Sequence, residues 1–226
     1  MNYTSKLSLV TLILLTTSAL AQTANPPLQQ GIHVQMAPTH DASPMPDADN
    51  ADAWIITVTA DGSLYFGTQP MTSDELIEHM KVTPRRRDQM LYVKADGQTS
   101  FAYVNIALDA ARIDLFETAV LLTSQHDSSA PGVTVPPMGL EVSLKPSSST
   151  GAVLGLHNSN QQLTATINHE AVRWADLQNT LKQHLQNQSE KVVALKADGQ
   201  VPFVDVAHAV DACRSLGAQV VLSTAQ

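Results

Sequence analysis

The chain has 226 residues, a span that allows one large domain or two small ones. An apolar share of 43% excludes wholesale disorder, and a single cysteine excludes a disulfide framework and any multi-cysteine metal site. The net charge of −8, from 13 basic and 21 acidic side chains, makes nucleic acid a poor partner. Residues 1–21 run from Lys6 through an apolar stretch, Leu7–Leu15, to polar threonines and Ala19-Leu20-Ala21. That order predicts a secretory signal cleaved after Ala21. A spanning helix needs about 20 mostly apolar residues, and Thr16, Thr17 and Ser18 interrupt the run early. The competing reading is an uncleaved membrane anchor. Both readings put the rest of the chain outside the cytoplasm.

The remainder repeats itself. KADGQ occurs at Lys94–Gln98 and again at Lys196–Gln200. Phe101, Val104, Leu108, Asp109 and Arg112 then match Phe203, Val206, Val210, Asp211 and Arg214. Upstream, GIHVQMAP (Gly31–Pro38) matches GLEVSLKP (Gly139–Pro146). Apolar, turn and polar positions recur in one order, which marks a tandem duplication. The expected units are residues 31–124 and 132–226, joined by the polar stretch Gln125–Pro131.

Each unit opens with a short alternating segment, Ile32–Met36 or Leu140–Leu144, read as a strand closed by proline. An acidic loop, Asp41–Asp52, follows in the first unit, and the shorter Pro146–Gly151 in the second. Trp54–Thr59 and Ser63–Phe66 flank Asp61-Gly62, a hairpin signal; Val153–His157 and Gln162–Ile167 flank the weaker Ser159-Asn160. Thr72-x-x-Glu75 is a capping box that starts a helix. Its counterpart places Trp174, Leu177, Leu181 and Leu185 on one helical face. Met90–Ala95 and Val192–Ala197 read as strands ending at Asp-Gly. The second helices carry apolar stripes, Phe101, Val104, Leu108, Ala111 and Phe203, Val206, Val210, Cys213, and Pro202 suits a first turn. Closing strands, Ala119–Thr123 and Val220–Ser223, should run parallel to the strands before those helices. The expected fold class is α/β, as an α+β-like two-layer sandwich of two tandem units. Each unit is a small mixed sheet covered by two helices.

No constellation for catalysis stands out. The chain lacks G-x-S-x-G, a P-loop and G-x-G-x-x-G, and its eight histidines form no H-E-x-x-H. No catalytic residue, metal or cofactor is expected. Cys213 reads as a small buried hydrophobe. Asp96-Gly97 and Asp198-Gly199 read as turns whose carboxylates bond amides of the turn and the coming helix. Asp109 with Arg112, and Asp211 with Arg214, read as i,i+3 pairs on a solvated face. Arg85, Arg86 and Arg87 offer an anchor for an anionic partner through bidentate pairing. The opening segments carry the most functional weight. Ile32, Val34 and Met36, and Leu140, Val142 and Leu144, form arms that can add to a neighbour's sheet edge or accept a partner strand. The alternative is an ordinary first strand.

Val192–Thr224 resembles the C-terminal half of the periplasmic domain of the ExbD/TolR biopolymer-transport family. The shared order is strand, Ala-Asp turn, aromatic-led helix, small-residue turn and a Val/Leu strand ending in Thr. GLEVSL and GIHVQM resemble the glycine-led arm that follows the family's membrane helix. In the first unit Leu115-Phe116 replaces the glycine turn at Gly217. The resemblance implies a dimerising periplasmic α/β domain that contacts envelope proteins of a TonB- or Tol-type system or, in the TolR branch, peptidoglycan. It also implies a membrane helix with an essential aspartate, which Leu7–Leu20 lacks, having no ionisable residue. The proton-coupling role therefore does not carry over. What is implied is a periplasmic, non-catalytic interaction module forming an intramolecular pseudo-dimer or a homo-oligomer. The alternative is an accessory subunit anchored in the inner membrane and facing the periplasm.

Overall fold

The computed structural model describes residues 32–86, 88–125, 136–145, 151–159 and 162–223. The predicted export segment, Arg87, most of the inter-unit linker and the loop at 146–150 lie outside the described residues. In chain order the first repeat contains β1 (Pro38–Thr39), β2 (Ser43–Pro44), β3 (Trp54–Val58), β4 (Leu64–Phe66) and β5 (Gln69–Met71). Helix α1 (Ser73–Val82), β6 (Leu91–Ala95), α2 (Phe101–Ile113) and β7 (Thr118–Gln125) complete it. The second repeat contains β8 (Met138–Ser143), β9 (Ala152–Ser159), β10 (Gln162–Ile167), β11 (Glu170–Val172) and α3 (Leu177–Leu185). It closes with β12 (Val192–Ala197), α4 (Phe203–Arg214) and β13 (Gln219–Leu222).

The strands form one mixed sheet in the order β11-β10-β9-β12-β13-β8-β7-β6-β3-β4-β5. The two small sheets expected from the duplication are therefore continuous. Strand β8 joins them, antiparallel to β7 along its whole length and parallel to β13 at Val221↔Ser143. The pairs flanking each second helix, β6 with β7 and β12 with β13, are parallel as expected. The hairpins at Asp61-Gly62 and after Ser159 also form. Each extends into a third, short strand that the sequence reading did not contain, β5 and β11.

Strand alternation sets two layers. Trp54, Ile56, Val93, Leu121, Leu140, Leu154, Leu195 and Val220 face one side, where all four helices bury their stripes in a single core. The capping box is present: Thr72 Oγ1 accepts from Glu75 N, and Thr72 N donates to Glu75 Oε2. Leu177, Leu181 and Leu185 are buried, but Trp174 is not on their face. It sits in a 3-10 turn ahead of α3 and is 38% exposed.

On the opposite side the repeats differ. Ile55, Tyr92, Val120 and Leu122 make a second apolar cluster, covered by Met36, Met45 and Ala48. The acidic loop thus folds over the sheet, with Ala48 fully buried, rather than standing in solvent. Gly139 permits this close seating: a Cβ there would lie 2.3 Å from Val120 Cγ1 and 3.0 Å from Met45 Cγ. The matching face of the second repeat bears Lys196, Glu141 and Thr164 in the open.

Candidate interaction site

The first amides of an α-helix lack intrahelical acceptors. Neither Ser100 nor Pro202, the N-cap residues of α2 and α4, receives them on a side chain. The other repeat does so instead. Phe101 N donates to Val201 O at 2.9 Å, and Phe203 N donates to Thr99 O at 2.8 Å. Ala102 N donates to Gly199 O, and Val204 N to Gly97 O, both at 2.9 Å. Each bond has its counterpart at the same position of the repeat. Each contributes about 0.5–1.5 kcal/mol, whereas an orphaned buried amide costs about 1–3 kcal/mol. The glycines allow the approach: a Cβ on Gly199 would meet Ala102 Cβ at 3.1 Å, and one on Gly97 would meet Val204 Cβ at 3.4 Å. Gly97 and Gly199, singled out as turn residues, are thus the contact points of a reciprocal seam. The sequence signal for it was an identical pentapeptide just before two helices.

The two aspartates of KADGQ do different work. Asp96 Oδ1 accepts from Gln98 N within its turn, as expected, and Oδ2 accepts from Gln35 N in the first arm. Asp198 Oδ2 lies 3.2 Å from His157 Nδ1 on the open face of the sheet.

The arms also differ. The expected strand at Ile32–Met36 is absent; this segment has no regular structure and is held at Gln35 by Asp96 and by Gly97 N, which donates to Gln35 O at 2.8 Å. The cause is competition for an edge. Strand β8 pairs with β7 up to Thr123↔Met138, so the first arm finds β7 free only at Pro38↔Ser124 and Thr39↔Gln125. Val34 is buried, while Ile32 and Met36 are half-buried. In the second arm Leu140, Val142 and Leu144 are all buried. Both edges of β8 are occupied, by β7 on one side and by β13 and β2 on the other.

Arg85 stacks its guanidinium 4.2 Å from the Phe116 ring centroid and bonds Asp114 through Nε and Nη2. Arg86 pairs with Asp52 and Asp88. Asp109 pairs with Arg112 as expected. Asp211 does not pair with Arg214. It is buried, and its two oxygens accept from His40 N and Asp41 N, each at 2.9 Å. Arg214 turns to Glu141 O and Ser43 Oγ, and Arg112 reaches across the repeats to Leu222 O at 2.8 Å. His208 Nε2 lies 3.1 Å from Pro38 O. Helix α4 thus holds the loop of the first repeat against the second. Nothing in the spacing of Asp211 separated it from Asp109.

Burial pushes the Cys213 thiol up to about 12, so it is a packed, unreactive side chain. Burial also lowers the pKa of Lys94, which has no carboxylate within ion-pair distance among the described residues. Asp205 is raised by burial, against a smaller opposing influence from His208. No three His, Cys, Asp or Glu among the described residues could hold a metal ion. No helix among them is long and apolar enough to cross a membrane.

These features define a mixed α/β protein whose distinctive chemistry is backbone pairing between two repeats. The chain belongs to the ExbD/TolR family: the family described as biopolymer transport protein ExbD/TolR matches residues 7–126 and again residues 120–226, consistent with a tandem copy. Membership supports a role in biopolymer transport systems, in a family of transport accessory proteins that work with TonB/Tol-system proteins. No curated protein and no solved structure matches the chain.

Proposed function

We propose that the chain is a non-catalytic interaction module of the periplasm, exported by its N-terminal segment. It binds envelope proteins of a TonB- or Tol-type system or peptidoglycan. The observation that carries this reading is one family sequence present twice in a single chain. The reciprocal seam supports a further point: one polypeptide supplies both halves of an intramolecular pseudo-dimer. Proton coupling belongs to a partner, because Leu7–Leu20 offers no titratable group. The test is affinity capture from cell envelopes with the full chain, alongside sedimentation with purified peptidoglycan. A specific TonB- or Tol-system protein, or co-sedimentation, is the expected result. Recovery of neither contradicts the reading.

A second reading has its own support. The first family match begins at residue 7, inside the apolar segment. In that reading the segment stays attached and the chain is a membrane-anchored accessory subunit facing the periplasm. N-terminal sequencing of the protein from the envelope separates the two: a start at Gln22 excludes the anchor, and an intact Leu7–Leu20 excludes export with cleavage.

A further inference from the structure

A cleft of about 440 Å³ opens where the loop of the first repeat meets the second, within the roughly 300–1,000 Å³ of small-ligand sites. The loop contributes Pro38 and Asp41, helix α4 contributes His208 and Asp211, and the 3-10 turn ahead of α3 contributes Trp174. This is the indole that helical spacing assigned to the core, and it is 38% exposed here. The lining holds two carboxylates and neither lysine nor arginine. Asp211 is 7% exposed, and its oxygens accept only from the amides of His40 and Asp41. Those amides satisfy hydrogen bonding but bring no positive charge. The equivalent Asp109 has Arg112 as its counter-ion. Two cations close to the cleft in sequence are committed elsewhere. Arg173 Nε donates to Asp176 at 2.7 Å, and Arg214 turns to Glu141 O and Ser43 Oγ. Neither Asp41 nor Asp211 has a cation within ion-pair distance among the described residues.

We propose that this cleft binds an organic cation, an alkylammonium or guanidinium group, with the Trp174 indole as its platform and Asp41 and Asp211 as its counter-charges. The face of an indole attracts a cation through the ring quadrupole, and a carboxylate pairs with the same group through charge-assisted hydrogen bonds. An anion entering the cleft would meet two like charges. A neutral sugar would stack on Trp174 but leave both carboxylates without a counter-ion. The proposal goes beyond the proposed function, because the cation can be a free amine as well as the lysine or arginine side chain of a partner polypeptide.

The experiment titrates the full chain at pH 8, above the ordinary histidine pKa of about 6.5. The cationic probes are butylammonium, N-acetyl-lysine amide and N-acetyl-arginine amide. Acetate and N-acetylglucosamine are the anionic and neutral counter-probes. Binding is read from the NMR shifts of the Trp174 indole and the Asp41 amide, with the buried Trp54 as the reference indole. Saturable millimolar binding of the cations, and none of the counter-probes, is the expected result. Asp41→Asn and Trp174→Leu should each weaken it roughly three-fold or more. Tighter binding of the acetylated amides than of butylammonium supports a polypeptide side chain as the source, and the reverse order supports a free amine. No saturable shift with any cation overturns the proposal. So does binding of acetate or N-acetylglucosamine as tight as that of the cations. Unchanged cation affinity in Asp41→Asn also overturns it, and that variant alters only an exposed side chain, so the test stands even where Trp174→Leu fails to fold. None of these readings depends on envelope capture, so this proposal and the proposed function can fail separately.

Discussion

The two repeats meet through the same atoms and share their core pattern, but their outer surfaces differ. At the seam, Phe101 and Phe203 make the same bond to each other's turn, and their rings are both buried. Away from it, the first repeat has a loop over the back of its sheet, a capped α1 and a leucine, Leu115, in its left-handed turn. The second has an open polar face, an α3 without a side-chain cap, and a glycine turn. The divergence also fixes the position of β8. It lies antiparallel on β7 over Thr118–Thr123, and the first arm pairs with that strand only from Ser124 onward. The lesson is that a contact made from backbone groups constrains both copies equally, while side-chain surfaces are free to part.

The largest expected effects probe what the copies share. Phe101→Ala and Phe203→Ala should each cost about 3–5 kcal/mol in chemical denaturation, since each ring fills the core beside the seam. A cost below about 1 kcal/mol for either one breaks the equivalence.

Next come sites where equivalent residues should part. Asp211→Ala leaves the amides of His40 and Asp41 without their acceptor and should cost about 2–3 kcal/mol. Asp109→Ala removes a partly exposed i,i+3 pair with Arg112 and a bond accepted from Asn105 Nδ2, both on its own helix, and should cost under about 1 kcal/mol. Equal losses would mean that the loop is not held by α4.

A smaller effect, of opposite sign, is expected at Lys94. It is buried with no carboxylate at ion-pair distance among the described residues, and its equivalent Lys196 is exposed. Lys94→Met should stabilise by about 1 kcal/mol at neutral pH, and Lys196→Met should change stability by less than about 0.5 kcal/mol. The pH dependence follows from the lowered pKa. Between that lowered value and the ordinary 10.5, the unfolded chain binds a proton that the folded chain does not, so stability rises with pH. Lys94→Met should flatten that rise in alkaline denaturation curves.

The smallest contrast lies at the first helices. Thr72→Ala should cost about 0.5–1 kcal/mol, and Asp176→Ala less, because Asp176 makes no cap bond. Glu75 is held below its usual carboxylate range by the Thr72 amide and hydroxyl. Its contribution is present above the unfolded value of 4.5 and is lost as pH falls through the lowered one, so the Thr72 contrast should shrink on acidification.

Most of the fold was legible because periodicity and turn chemistry are local. The apolar stripes of α2 and α4 are buried residue for residue, and the capping box at Thr72 and Glu75 formed. What was not legible depended on competition between segments distant in the chain. Ile32–Met36 alternates like a strand, yet β8, more than 100 residues later, takes its edge. The acidic loop reads as solvated by composition, yet Met45 and Ala48 cover an apolar cluster that only the sheet assembles. Trp174 fits a helical spacing, but the chain turns 3-10 before α3 begins. The seam itself is backbone chemistry, and a side-chain motif search cannot see a carbonyl. The same blindness hid Asp211, whose partners are amides of another repeat.

The two repeats close on each other through four reciprocal backbone bonds. Native-state hydrogen exchange at the amides of Phe101, Ala102, Phe203 and Val204 tests it most directly. Strong protection of all four, lost together near the free energy of global unfolding, is the expected result. Fast exchange at either pair while the helix interiors remain protected would contradict it.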